Sequence, residues 1–123
     1  MPHVVIEEAL DLALACQGLE IGAVRNGGEI LKVTEVFLNR SGHTGLVDCV
    51  VVEAGRSKAF FVQLSQKDRQ ITVRLLPATD PEKTDGVKRI LALIATQLKA
   101  ASAGSQFGKT NLQDFLPPPP GAR

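Results

Sequence analysis

Apolar and other residues alternate with a period of two along three consecutive segments in the middle of this chain. The segments are Leu46–Glu53, Lys58–Leu64 and Gln70–Leu76, and short polar turns join them. Side chains on a strand point alternately to its two faces, so this pattern indicates strands that bury at least one face. Neighbouring strands joined by short turns pair antiparallel. The middle of the chain therefore predicts a three-stranded antiparallel meander.

Two more strands are predicted ahead of the meander. The pair Asn26-Gly27 stands between apolar runs and favours a hairpin turn, because both central residues of such a turn take positive φ. Residues 19–24 precede this turn and Ile30–Leu38 follow it. The second segment favours a strand, with a short helix within residues 32–43 as the alternative.

Segments with apolar residues at helical spacing flank the predicted strands. The first covers residues 4–16. The second has a helix-start signal at residues 79–82, with a start nearer Thr84 as the alternative, and an apolar stripe from Val87 to Leu98. We therefore predict one α+β domain over residues 1–103, an antiparallel meander of about five strands with an N-terminal and a C-terminal helix on one face. Residues 104–123 include four consecutive prolines and are predicted to form a Pro-rich tail.

The composition narrows the classes of protein to consider. The chain has 123 residues, 44% hydrophobic and 22% charged, with a net charge of +1, which suits one globular domain. No apolar run reaches the roughly 18 residues of a membrane span, and no secretory signal is recognisable, so we expect a cytoplasmic protein without a membrane partner. Its two cysteines and two histidines lack the spacing of metal ligands. We expect neither a structural metal nor a cofactor.

The predicted arrangement leaves apolar side chains on the sheet face that the helices do not cover. Val50 and Val52 lie on that face together with one of Phe60 and Phe61. Burying side chains of this kind stabilises by roughly 1.5–3 kcal/mol each, and a patch of them favours association. A second copy, a curled sheet around a pocket, or the C-terminal tail could cover them. Because the sequence has no catalytic motif, we expect a non-enzymatic protein-interaction module that forms a homodimer and also contacts another protein. The candidate interface residues are Val50, Val52, Phe60 and Phe61.

A small-ligand-binding or enzymatic domain is the first alternative. Two glycines, Arg40 and His43 make the loop between residues 39 and 45 suitable for gripping an anion. Asp48, inside an apolar strand, and Arg74 would supply further polar groups to a cavity between the sheet and the helices.

Binding of single-stranded nucleic acid is the second alternative. Basic residues on the last two hairpins surround an aromatic residue, and the candidate contacts are Arg56, Lys58, Phe61 and Arg69. The isoelectric point of 7.8 and the absence of Tyr and Trp argue against this function. Nucleic acid is therefore possible as a partner but not favoured.

The order of predicted elements resembles the roadblock/dynein light chain domain family. Residues 4–34 are similar to its first helix and glycine-containing hairpin, and residues 46–102 to its last three strands and last helix. That family has a full helix between its second and third strands, where this chain has the twelve residues 32–43. The resemblance implies a non-catalytic homodimer with a continuous sheet or a helix interface, often a platform for small GTPases or motor components.

Overall fold

A seven-stranded antiparallel sheet forms the body of the computed structural model, which describes residues 2–9, 11–79 and 81–117. The strands are β1 His3–Glu7, β2 Gly22–Asn26, β3 Glu29–Leu38, β4 Thr44–Glu53, β5 Arg56–Lys67, β6 Gln70–Leu75 and β7 Gln106–Thr110. Two α-helices, α1 Leu12–Cys16 and α2 Asp85–Ala100, and two 3₁₀ turns, Pro77–Thr79 and Gln113–Phe115, complete the described elements. The strand order is β2-β3-β4-β5-β6-β1-β7. The predicted α+β class with an antiparallel sheet is confirmed, although the sheet is larger than predicted.

Strands β2 to β6 follow one another along the chain and are neighbours in the sheet. A hairpin turn joins β2 and β3 as predicted, but its two central residues are Gly27 and Gly28 and not Asn26 and Gly27, because Asn26 pairs with Glu29 at the end of β2. Gly27 has a φ of +63°, which glycine adopts without a steric penalty. The segment after the turn is a strand and not the alternative short helix. A bulge between Val33 and Glu35 interrupts its pairing with β4, and β2 pairs only with the half of β3 that precedes it.

The prediction of one helix over residues 4–16 is wrong. The segment divides into β1 and the short helix α1, and β1 pairs with β6 from His3 opposite Arg74 to Glu7 opposite Gln70. Its burial alternates along the strand, with Val4 and Ile6 fully buried. Short apolar runs fit both periodicities, and here long-range pairing with β6 overrides the local helical pattern.

Side-chain hydrogen bonds position α1 at one end of the sheet. The Asp11 side chain accepts from the Leu14 N–H at 3.0 Å and caps the helix. The Gln66 side chain at the end of β5 accepts from the Leu12 N–H at 2.6 Å and donates to the Ala9 carbonyl at 3.1 Å. The first turn after β1 is therefore fixed to β5.

The helices pack on one face of the sheet and form the core there. Thr84 caps α2, and its hydroxyl also bonds the Glu53 carboxylate at the end of β4. The largest fully buried side chains belong to this layer: Phe60, Ile6, Leu12, Leu64, Ile71, Leu75, Ile90, Leu91, Ile94 and Leu98. Among the described residues, no helix is long and apolar enough to cross a membrane.

The first part of the predicted tail belongs to the sheet and the core. Strand β7 pairs with β1, Leu112 is buried, and Phe115 lies beneath the Arg89 guanidinium, 5.8 Å from ring centroid to carbon. The rest of that prediction, from residue 118 onward, lies outside the described residues.

The element order differs from the one that the family resemblance implied. The described chain begins with a strand, and β3 leads into β4 through the short loop of residues 39–43, with no helix between them.

Candidate interaction surface

One face of the sheet has no helix against it, and we call it the open face. It carries the side chains that alternate with the buried ones along the strands, since successive residues point to opposite faces. Helices α1 and α2 contact each other and the opposite face. The residues 106–117 that follow α2 join β1 at the sheet edge or pack against α2. Within the described chain, nothing lies over the open face.

The apolar part of the open face centres on β4. Val50 and Val52 are partly exposed there and stand opposite Ala59 and Ile30 on the neighbouring strands. Further along the same face, Leu46 stands opposite Phe37, which is 52% exposed. Phe61 of β5 completes the set. These side chains form an apolar band across three strands, which Asp48 interrupts between Leu46 and Val50.

Two of the predicted interface residues have opposite environments. Phe61 lies on the open face with Val50 and Val52, as the prediction required of one of the two phenylalanines. Phe60 is 2% exposed and fills the core beneath the helices. The reason is the alternation itself, because adjacent residues of β5 cannot point to the same face. Phe60 is therefore not an interface residue of the open face.

Two carboxylates stand opposite each other within the apolar band. Glu35 of β3 is the cross-strand partner of Asp48 on β4, and like charges in this position repel. Glu35 Oε1 accepts from the backbone N–H of Val36 at 2.9 Å. In the described chain, neither carboxylate forms an ion pair.

A basic side chain lies on the same face beyond β5. Arg74 of β6 stands opposite Gln63 of β5, and its Nε donates to Gln63 Oε1 at 3.3 Å. Its side chain is exposed. Charges of both signs occur on the open face: Arg74 lies on the β6 side of β5, whereas Lys32 of β3, opposite Val50, lies on the same side of β5 as the two carboxylates.

The residues of the predicted ligand site are not brought together. Arg40 and His43 are exposed in the β3–β4 loop, whereas Asp48 and Arg74 lie on the open face on opposite sides of β5. Buried side chains occupy the layer between the sheet and the helices. Two surface clefts of about 290 and 310 Å³ lie elsewhere, one lined by Pro2, Lys83, Lys88, Asn111 and Leu112 and the other by Glu7, Glu8, Asp68, Arg69 and Gln70.

The predicted nucleic-acid contacts are also dispersed. Arg56 is the first residue of β5, whereas Arg69 lies in the turn between β5 and β6. Lys58 pairs with the Glu82 carboxylate at 3.4 Å, and Arg69 pairs with Glu8 at 2.7 Å. Of the predicted set only Phe61 occupies the middle of the open face, so the basic groups do not follow one continuous track.

Both cysteines belong to the core and have weakly acidic thiols. Burial raises the pKa of Cys16 to about 11, and burial followed by the neighbouring Asp48 charge raises the pKa of Cys49 to about 12. A thiol reacts as its thiolate, so neither side chain has the properties of a nucleophile near neutral pH. In the described residues, no three His, Cys, Asp or Glu side chains are arranged to hold a metal ion.

Sequence reasoning missed two charged residues of the open face. Lys32 faces Val50 and Glu35 faces Asp48, but the bulge between them shifts the alternation of β3 by one residue. No pattern in the sequence marks a bulge at this position, so a simple count of alternate residues places Glu35 on the wrong face.

Comparison of the chain with family models, with curated proteins and with solved structures finds no match.

Proposed function

We propose that this protein is a non-enzymatic protein-interaction module that works as a homodimer through its open face. The observation that carries the proposal is the apolar band of Phe37, Leu46, Val50, Val52 and Phe61 around Asp48, which no element of the described chain covers. Contiguous apolar surface on a small domain is typical of interaction sites. The helix side of each copy stays accessible to the second protein that we expect as a partner.

The dimensions of the open face suit an interface of this kind. The four strands β3 to β6 lie roughly 4.8 Å apart, which makes this part of the face about 19 Å wide. Their average length is about nine residues at about 3.3 Å each, which makes it about 30 Å long. Two copies would together bury about 1,100 Å², slightly above the roughly 1,000 Å² expected of a specific interface. The proposed dimer is therefore small and of moderate affinity.

Light scattering coupled to size-exclusion chromatography tests the proposal. A chain of 13.1 kDa should elute at tens of micromolar as a species of about twice that mass. Val50→Glu places an unpaired charge in the interface and should yield the monomer. Val24→Glu is the matched control: Val24 is 48% exposed on β2 and stands opposite the buried Leu31, hence away from the open face, and its variant should remain dimeric.

Two results would overturn the proposal. One is a wild-type monomer at these concentrations. The other is a dimer that survives Val50→Glu while circular dichroism shows a folded variant, because the subunits would then meet on another surface.

A further inference from the structure

The arrangement of charge on the open face limits what can cover it. Glu35 and Asp48 lie together on one side of β5, and covering them removes water from two neighbouring carboxylates. Buried charges are stable only when an opposite charge or hydrogen-bond donors accompany them. Lys32, opposite Val50, is a cation of the same copy on this side of the face, and an occupant that brings a further cation to Asp48 offsets the remaining cost better than an apolar partner does.

The chain itself carries a suitable cation on the same face. Arg74 of β6 is exposed, and its one side-chain hydrogen bond to another described residue uses Nε, which leaves both terminal nitrogens available for a carboxylate. Asp48 stands one strand to one side of β5, and Arg74 stands one strand to the other side.

We infer that the partner is a second copy related by a two-fold axis parallel to β5, with Asp48 of each copy paired to Arg74 of the partner subunit. The inference rests on the proposed function. A two-fold rotation about this axis exchanges the two sides of the open face, so β4 of one copy lies over β6 of the other. The same contact then occurs twice, as an isologous interface requires.

The register of the strands permits this pairing. Asp48 stands opposite Phe61, and Arg74 stands opposite Gln63, two residues or about 7 Å further along β5. Facing sheets lie about 10 Å apart, and an arginine and an aspartate side chain together reach across such a gap. Phe61 lies on the axis, where it meets the same ring of the second copy in the middle of the interface.

Charge reversal with complementation tests the pairing. In a homodimer of Asp48→Arg, the new arginine of each copy meets Arg74 of the other copy. In a homodimer of Arg74→Asp, the new aspartate of each copy meets Asp48 of the other. Because like charges repel, each variant alone should raise the dissociation constant of its homodimer by roughly tenfold or more. In an equimolar mixture both cross-pairs have opposite charges, and a heterodimer should form with near wild-type affinity. The double variant Asp48→Arg with Arg74→Asp should also recover its homodimer. Sedimentation velocity gives the dissociation constants.

The outcomes separate this inference from the proposed function. If Val50→Glu disrupts the dimer but the reversed charges have no effect, or the mixture shows no recovery, the two-fold arrangement is wrong and the open-face dimer stands. A wild-type monomer overturns both. If a reversed charge prevents folding, Asp48→Asn and Arg74→Gln replace it. Each should then abolish the weakening of the dimer between about 50 and 500 mM salt, and an unchanged salt dependence contradicts the pairing.

Discussion

Glu29 shows how one residue joins three parts of the fold. Its Oε2 accepts from Arg89 Nη1 at 2.6 Å, which connects the start of β3 to α2, and the same guanidinium lies over the Phe115 ring. The other oxygen, Oε1, is buried and has no hydrogen-bond partner among the described residues. The carboxylate therefore depends on Arg89 alone.

Removal of the arginine should be costly for that reason. We expect Arg89→Ala to lower the free energy of unfolding by ~2 kcal/mol, because it leaves a buried charge unpaired and uncovers Phe115. Lys88→Ala, one position earlier on the same helix, should change it by no more than about 0.5 kcal/mol. Urea titrations of both variants measure the difference. Equal stabilities would show that the ion pair has no net effect.

The raised pKa values of the two cysteines predict a loss of stability in alkali. The thiols ionise near pH 9 when the chain is unfolded, but only near 11 and 12 when it is folded. Between these values the unfolded chain binds fewer protons, so the free energy of unfolding should be constant below about pH 8 and fall as the pH rises past 9. Cys49→Ala, compared with wild type in urea at pH 8 and pH 10, should show a smaller fall. An identical fall in both proteins would contradict the prediction.

At the scale of elements, the first strand is where sequence and structure differ most. The run from Val4 to Ile6 fits a helix and a strand equally well, and only the distant strands β6 and β7 select the strand. Strand β7 likewise depends on a distant pairing partner, because its five residues contain a single strongly apolar side chain, Phe107, and show no strand pattern of their own. Such pairing partners are remote in the sequence, and local periodicity contains no information about them.

The position of β1 predicts unequal effects at neighbouring residues. Ile6 is fully buried between the sheet and the helices, so Ile6→Ala should lower the free energy of unfolding by ~3 kcal/mol. Val5 points to the opposite face and is partly exposed, so Val5→Ala should lower it by about 1 kcal/mol or less. Thermal or urea unfolding of the pair gives the comparison. Similar losses at both positions would contradict a strand with one face in the core.

For the molecule as a whole, the sequence predicted the helix layer and the sheet layer better than the number of strands in the sheet. The alternation in β4, β5 and β6 was enough to predict an antiparallel sheet with an uncovered apolar face. It was not enough to distinguish Phe60 from Phe61, because that choice depends on register, nor to place Glu35, because a bulge precedes it. Candidate residues chosen for their chemistry, such as His43 and Arg40, lie in an exposed loop whose position the sequence does not encode locally.

A net charge of +1 also bears on the behaviour of the whole molecule. Proteins close to electrical neutrality repel one another weakly, so little opposes the approach of two copies. On the open face Asp48 and Arg74 stand on opposite sides of β5, whereas Lys32 lies on the same side as Asp48. Association of identical faces is then both permitted by the total charge and directed by its distribution.

An isotope-filtered NOE experiment on a mixture of labelled and unlabelled chains tests whether a second copy covers the open face. We expect intermolecular cross-peaks between the Phe61 ring and the methyl groups of Val50, since Phe61 lies on the proposed two-fold axis and Val50 lies one strand away from it on the same face. Intermolecular cross-peaks confined to the helices or the sheet edges, or none at millimolar concentration, would contradict the claim that a second copy covers this side of the sheet.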